Sequence, residues 1–186
     1  MKHSNFKKSA GLTMIELVIS LFVLTVAVIG VYNGFSIMVV ATAQMSDRFT
    51  ASYLAQEGIE VIRNIRDNNW LKDPKTDWKT GLICGNPPSP CSWQADYTST
   101  GAGLTPYNSS NYLNISPKGF YYYDLSNPNK TKFTREITVT PITDVNGETY
   151  ILKVAVTVFW DEKATIFNFE KKHGSITAED YLYNWY

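Results

Sequence analysis

The sequence has few of the residues and patterns on which most enzyme chemistry depends. It contains only two histidines, His3 and His173, and two cysteines, Cys84 and Cys91. It lacks the G-x-S-x-G, H-E-x-x-H, Walker and dinucleotide-binding patterns, which supply nucleophiles, metal ligands or phosphate-binding loops. Two cysteines are also too few for a structural zinc site. We therefore predict no catalytic residue, no metal site and no cofactor.

The chain has no excess of charge of either sign. Its 17 basic and 17 acidic side chains give a net charge of zero, which provides no electrostatic argument for a nucleic-acid partner. Lys130, Lys132 and Arg135 form a small basic cluster in the sequence. Three charges are too few to predict a surface that follows a phosphate backbone, so we do not expect nucleic acid as a partner.

Charged residues and proline are nearly absent from residues 12–41, where Glu16 is the only charged side chain and no proline occurs. A helix over this range would be about 45 Å long, which exceeds the roughly 30 Å hydrocarbon core of a bilayer. Lys7 and Lys8 precede the run, and the next basic residue is Arg48. Basic residues favour the cytoplasmic side, so the pattern predicts a single-pass membrane helix with its N-terminus inside.

Three interpretations of this apolar segment compete. A secretory signal peptide is supported by the basic start and by the sequence ATA at residues 41–43, which is an A-x-A cleavage pattern. Against it, the apolar run is about twice the usual 7–15 residues and contains a charge. The second interpretation is a plain membrane anchor in which Glu16 is tolerated near the membrane edge. The third gives Glu16 a functional role.

A partner for Glu16 would appear if the chain were cut after Gly11. A carboxylate inside a bilayer costs roughly 2.5–3.5 kcal/mol and usually has a partner, but the run contains no lysine or arginine. Cleavage would create the α-amino group of Leu12, which lies at i−4 from Glu16 on a helix. Between packed helices, the amine of one subunit could pair with Glu16 of the next and fix their register.

The sequence KKSAGLTMIEL, residues 7–17, resembles the class III leader of type IV pilins and type II secretion pseudopilins. In that family a prepilin peptidase cuts after a glycine and methylates the new N-terminus, and the fifth mature residue is glutamate. The resemblance assigns Gly11 and Leu12 to processing, and Thr13 and Glu16 to assembly. Leu12 departs from the commonest residue of the family, phenylalanine, and Met14 departs from leucine, but both remain apolar.

The resemblance also implies partners and a location. The partners are the prepilin peptidase/methyltransferase, other pilin or pseudopilin subunits and an inner-membrane assembly platform. The chain would reside in the cytoplasmic membrane and then in an extracellular or periplasmic filament, as a structural subunit without enzymatic activity. The sequence LAQEGIEVIRNIRDNNW resembles the helix end of minor pilins and pilus modification proteins.

Two other functions are compatible with the sequence. One is a secreted or membrane-anchored module that binds a glycan or protein ligand and follows an ordinary signal peptide or anchor. The other is an anchored surface enzyme, which the missing catalytic patterns disfavour. Many tyrosine and tryptophan residues lie after residue 70, and we interpret them as buried between sheet, loops and helix.

The helix is predicted to continue beyond the membrane over residues 42–70, with an amphipathic pattern. Its predicted apolar stripe contains five residues: Phe49, Tyr53, Ile59, Ile62 and Ile65. Gly30 and Gly34 form a G-x-x-x-G pattern, which is typical of close helix packing in membranes and equally of a kink.

The remaining chain divides into an irregular and a regular part. Residues 71–117 are rich in Pro, Gly, Ser and Asn, which predicts a variable loop region with short strands. Cys84 and Cys91 flank GNPPSP there, and in an oxidising compartment they favour a disulfide over two free thiols. Residues 118–186 predict an antiparallel sheet of about four to five strands, including a hairpin at Asn146-Gly147.

The predicted fold class is therefore α+β, with a long N-terminal helix packed against a C-terminal antiparallel sheet. The predicted segments are a cleaved leader (1–11), the membrane or filament-core half of the helix (12–41), its amphipathic half (42–70), the loop region (71–117) and the sheet (118–186). Strands are expected at 119–125, 131–142, 149–160, 164–170 and 176–185.

Overall fold

The fold is α+β, as the sequence predicts. The computed structural model describes residues 11, 13–72, 76–85, 88–100, 104–124, 126, 129–162 and 173–184. These residues form one long helix, α1 (Met14–Lys72), and seven strands: β1 (Cys91–Gln94), β2 (Thr105–Pro106), β3 (Asn114–Ile115), β4 (Tyr121–Tyr122), β5 (Phe133–Thr143), β6 (Thr149–Asp161) and β7 (His173–Tyr183). The chain divides into two compact units, Met1–Ala43 and Gln44–Tyr186.

The first unit consists, in its described part, of the apolar section of α1. Most of its large apolar side chains are exposed, from 52% (Leu17) to 86% (Met14). A helix in water normally buries an apolar stripe against another element. In the described part of the chain, α1 is also long and apolar enough to cross a membrane, by length and composition. The exposed side chains therefore form a surface suited to lipid or to another apolar helix.

The second unit packs the later part of α1 on a five-stranded sheet. The buried helix face contains Ala51, Leu54, Ala55, Gly58, Ile59, Ile62 and Ile65. The predicted stripe is wrong at two positions, because Phe49 is 67% exposed and Tyr53 is 71% exposed. With 3.6 residues per turn, these two aromatic residues lie on the side of the helix that faces away from Gly58. The small residues Ala51, Ala55 and Gly58 allow the helix to approach the sheet closely.

The main sheet is antiparallel and has the strand order β2-β1-β5-β6-β7. Its two longest pairings join β5 with β6 and β6 with β7, and β7 is an edge strand. Alternate residues of β6 point toward the helix and are buried: Leu152, Val154, Val156, Val158 and Trp160. This alternation is the pattern expected for a sheet with one face on a core, and it confirms the predicted packing of helix on sheet.

Two predicted strands differ from the structure or lie outside it. The strand predicted at 119–125 is reduced to β4, which pairs with β3 in a separate two-stranded sheet. The strand predicted at 164–170 lies outside the described residues. In addition, β1 and β2 occur in the predicted loop region and extend the main sheet at one edge. Edge strands of two and four residues leave too short a pattern to be recognised from sequence.

The predicted hairpin between β5 and β6 is present, with a three-residue loop. The Asp144 N–H donates to the Glu148 carbonyl (2.9 Å), and the Gly147 N–H donates to the Asp144 carbonyl (3.1 Å). Gly147 has a φ of 82°, in the left-handed region that glycine adopts without strain. This geometry matches a turn followed by a left-handed residue rather than the two-residue turn that Asn-Gly suggests.

Cys84 and Cys91 form a disulfide, which agrees with the predicted pairing. Their Cα atoms are 5.8 Å apart, within the usual range for a disulfide. Cys91 begins β1 and is paired with Val139 of β5. The disulfide therefore closes the loop that leads into the first strand of the main sheet.

Gly58 is the position at which α1 and the sheet approach most closely among the helix glycines. A Cβ atom added there would lie 2.8 Å from a Val156 methyl carbon and 3.2 Å from Cδ of Arg135. We expect Gly58→Ala to lower the free energy of unfolding by about 1–3 kcal/mol, because overpacking outweighs the gain in helix propensity. Chemical denaturation of the full chain in detergent, followed by tryptophan fluorescence, measures this change.

Gly34→Ala is the matched control on the same helix. No described atom lies within 4 Å of a Cβ added at Gly34, so the same substitution should leave the stability of the second unit unchanged. Equal stability of Gly58→Ala and wild type would show that the close approach of helix and sheet is not required.

Candidate processing and assembly segment

The start of α1 is defined by Thr13, the residue before the helix. The Thr13 carbonyl accepts a hydrogen bond from the Leu17 N–H (3.2 Å), and its hydroxyl oxygen lies 3.4 Å from the Glu16 nitrogen, which donates to it. Thr13 is therefore the N-cap and Glu16 is the third helical residue. T-x-x-E is the sequence pattern of a capping box, and it could have predicted this helix start at Met14.

Glu16 is exposed and lies in the first turn of α1. The positive end of the helix dipole favours a carboxylate there. Within the described residues, no cation forms an ion pair with Glu16. Gly11 is exposed, and Leu12, whose α-amino group is the predicted partner after cleavage, lies outside the described residues.

The serine and threonine hydroxyl groups of α1 in the first unit donate hydrogen bonds to the backbone of their own helix. Ser20, Thr25, Ser36 and Thr42 each donate to a carbonyl three or four residues earlier, at distances from 2.7 to 3.0 Å. In a bilayer a polar group without a partner is costly, so these internal bonds suit an apolar environment. Glu16 is therefore the side chain in this part of α1 whose charge calls for a partner from outside.

Gly30 and Gly34 lie one turn apart on α1, and no other described segment packs against them. No described atom lies within 4 Å of a Cβ added at either glycine. They leave two shallow positions, one turn apart, at which another helix can approach the backbone closely.

In the second unit, the position of Arg135 contradicts the predicted basic cluster. Its side chain is fully buried between helix and sheet. One terminal nitrogen donates to the Leu54 carbonyl (2.9 Å) and lies 3.3 Å from the Glu57 carboxylate, and the other donates to the Ala95 carbonyl. Arg135 therefore joins α1, β5 and the segment after β1, and it does not contribute to a basic surface.

Lys132 also has a partner within the second unit, because it forms an ion pair with Asp47 of α1. Lys130 is the exposed member of the three. The three residues therefore do not form one exposed basic cluster.

Asp96 forms a second polar centre beside Arg135. Its carboxylate accepts hydrogen bonds from the Thr98 N–H (2.9 Å), the Thr98 hydroxyl (2.6 Å) and the Tyr123 N–H (3.0 Å). Burial alone would raise the pKa of Asp96, but the hydrogen bonds from Thr98, Tyr123 and Ser99 together hold it below the ordinary value of 3.8. The network connects the loop after β1 with the segment after β4.

The lowered pKa of Asp96 predicts a loss of stability in acid. A carboxyl with a depressed pKa in the folded state contributes stability above its unfolded pKa of 3.8 and loses it as the pH falls through the folded value. Below about pH 4, the unfolding free energy of the wild type should therefore fall more steeply than that of Asp96→Asn. Urea denaturation at a series of pH values measures both slopes, and parallel slopes would contradict the prediction.

Comparison with known protein families finds a match that lies within the first unit. Residues 6–32 match the protein family described as the prokaryotic N-terminal methylation motif. The match includes every residue assigned above to processing and assembly, namely Gly11, Leu12, Thr13 and Glu16. No curated protein and no solved structure matches the chain.

Proposed function

We infer that this chain, which carries the N-terminal signature of type IV pilins and pseudopilins, is a non-enzymatic minor subunit of a type IV pilus-like or type II secretion filament. The observation that carries this inference is the coincidence of the motif at residues 6–32 with an apolar helix whose side chains are exposed. The motif is typical of structural rather than catalytic proteins.

The proposed life cycle begins with a precursor anchored in the inner membrane by residues 12–41, with its N-terminus in the cytoplasm. A prepilin peptidase removes residues 1–11 and methylates Leu12. An assembly platform then transfers the subunit into a filament, where its helix exchanges lipid contacts for contacts with other helices. Residues 44–186 form the head, on which residues 71–117 supply the variable part.

Glu16 is proposed to direct this transfer. Packing between apolar helices is poorly selective, because lipid tails are as apolar as leucine. The new α-amino group of Leu12 carries a positive charge that Glu16 of a neighbouring subunit can neutralise. Because the serine and threonine hydroxyl groups of this helix section are satisfied internally, the pair of Glu16 and the new amine is the charged contact that selects the partner helix.

Mass spectrometry of the mature N-terminus tests the proposed function. We expect the chain isolated from its native membrane to begin at Leu12 and to carry one additional methyl group. Gly11→Val is expected to block cleavage, because a side chain would occupy the scissile position, and it should leave a precursor that still inserts.

Two results would contradict the proposal. A mature chain that begins at Gln44, after the ATA sequence, would identify an ordinary signal peptide and a secreted module. A mature chain that retains residues 1–11 would identify a plain membrane anchor.

A further inference from the structure

The head contains a cleft of about 360 Å³ that the filament function does not use. Four aromatic residues line it, Tyr107, Tyr112, Phe159 and Trp160, together with the charged or titratable residues Lys132, Asp161 and His173. Its volume lies within the range of small-molecule sites, which combine apolar and aromatic surface with a few polar groups.

The strand register places several of the lining residues on the face of the sheet opposite α1. Val158 and Trp160 of β6 are buried on the helix side, so the alternate residues Phe159 and Asp161 point to the other face. Thr134 is paired with Phe159, and His173 is paired with Asp161, so both share that face. Trp160 also lines the cleft, which therefore lies at the end of the sheet where β6 meets the start of β7.

The aromatic side chains come from two separate segments. Phe159 lies on β6, whereas Tyr107 and Tyr112 follow β2. The segment after β2 is held against the sheet, because the Tyr107 N–H donates to the Ser92 carbonyl of β1 (3.0 Å). The aromatic surface is therefore fixed before any ligand binds, which reduces the entropic cost of binding.

The Lys132 ammonium and the Asp161 carboxylate, which both line the cleft, already have partners within the described residues. Lys132 forms an ion pair with Asp47, and Nδ1 of His173 lies 2.8 Å from the Asp161 carboxylate. An anionic ligand would require a cation without a partner, and a cationic ligand would require an unpaired carboxylate. A wholly apolar ligand would remove water from Asp161 and His173 without replacing their hydrogen bonds.

We propose that this cleft binds a neutral carbohydrate. A sugar ring presents C–H groups that pack on aromatic faces and hydroxyl groups that both donate and accept hydrogen bonds. Tyr112 and Phe159 supply the aromatic surface, and Asp161 and His173 supply the acceptor and donor. The cleft would give the filament a means of contacting glycans, in addition to its structural role.

Glycan binding by the full mature chain in detergent micelles tests the proposal. The probes are a slide array of neutral hexose and N-acetylhexosamine oligosaccharides, with sialylated oligosaccharides for comparison, followed by calorimetry with the strongest binder. We expect neutral oligosaccharides to bind, and Tyr112→Ala to weaken the affinity about tenfold through the loss of one aromatic face. Asp161→Asn is expected to weaken it by a similar factor.

Tyr181→Ala is the matched control. Tyr181 lies on the same face of the sheet, opposite Lys153, and is 45% exposed against 37% for Tyr112, but it does not line the cleft. Its replacement should change the affinity by less than about twofold. The proposal is overturned if no neutral oligosaccharide binds, if only sialylated ones bind, or if Tyr181→Ala weakens binding as much as Tyr112→Ala.

The result is independent of the filament function. The glycan assay uses isolated chains and does not require assembly, whereas N-terminal processing is measured on the membrane-derived protein. A head that binds no glycan on a chain that begins at methylated Leu12 would reject the carbohydrate site alone.

Discussion

Replacement of Glu16 by alanine is expected to leave membrane insertion and cleavage after Gly11 largely intact but to reduce incorporation into filaments about tenfold or more. The loss follows because the α-amino group of a neighbouring Leu12 would be buried without a counter-charge, and each 1.4 kcal/mol lost corresponds to a factor of ten. The measurement compares the amounts of the chain in sheared filaments and in the membrane fraction.

Glu16 has two roles that substitutions can separate. It is the third residue of α1, where it belongs to the capping pattern with Thr13, and it is the proposed partner of the amine. Glu16→Gln keeps a residue that suits the capping box but removes the charge. Thr13→Ala removes the capping hydroxyl but keeps the charge.

If the charge directs assembly, Glu16→Gln should fail as severely as Glu16→Ala, whereas Thr13→Ala should assemble. The opposite order would show that the start of the helix, and not the ion pair, limits assembly. Ser20→Ala completes the set, since the Ser20 hydroxyl is already bonded to the Glu16 carbonyl (2.7 Å) and should be dispensable.

Replacement of Arg135 by alanine is expected to lower the free energy of unfolding of the head by about 3–5 kcal/mol. The substitution removes a fully buried side chain, leaves Glu57 without its ion-pair partner and removes the donor to the Ala95 carbonyl. For a head of this size, the loss corresponds to a fall in the melting temperature of roughly 10 °C. Thermal unfolding followed by the fluorescence of the buried Trp78 and Trp160 measures it.

Two control variants distinguish packing from charge at this position. Arg135→Met preserves much of the side-chain volume, and apolar replacements of buried charges are often tolerated, so it should cost less than Arg135→Ala. Lys132→Ala removes a partly exposed ion pair with Asp47 and should cost no more than about 1 kcal/mol. An Arg135→Ala head as stable as the Lys132→Ala head would contradict the role given to Arg135.

The sequence predicts best the parts of this chain in which a long regular pattern coincides with a strong physical requirement. The apolar helix follows from residues 12–41, in which Glu16 is the only charged side chain, and β5, β6 and β7 follow from long alternating patterns. Strands β1 and β2 are short, and their pairing with a distant part of the chain leaves no local signal.

Two predictions are wrong for one reason, which is that they follow residue type rather than position. Phe49 and Tyr53 suit the predicted apolar stripe because they are large and apolar, but the helix places Ala51, Leu54 and Gly58 on the sheet instead. Arg135 suits the predicted basic cluster with Lys130 and Lys132 only by its charge. It occupies an inward position in β5, in phase with the buried Phe133, Ile137 and Val139, and that alternation was readable in the sequence.

The candidate site shows a different limit. The motif around Gly11 and Glu16 is readable because the family pattern has fixed residue types at fixed spacing. The cleft of the head combines Tyr112 with Phe159 and Asp161, which are far apart in sequence and meet only through the pairing of strands. A binding surface of this kind therefore becomes recognisable after folding and not before.

The internal hydrogen bonds of Ser20, Thr25, Ser36 and Thr42 have a consequence for the exchange of subunits between membrane and filament. A helix whose serine and threonine hydroxyl groups already have partners loses no hydrogen bond of these groups when lipid contacts are exchanged for contacts with another helix, or the reverse. In the proposed filament, disassembly would then return each subunit intact to the bilayer, ready for a later round of growth.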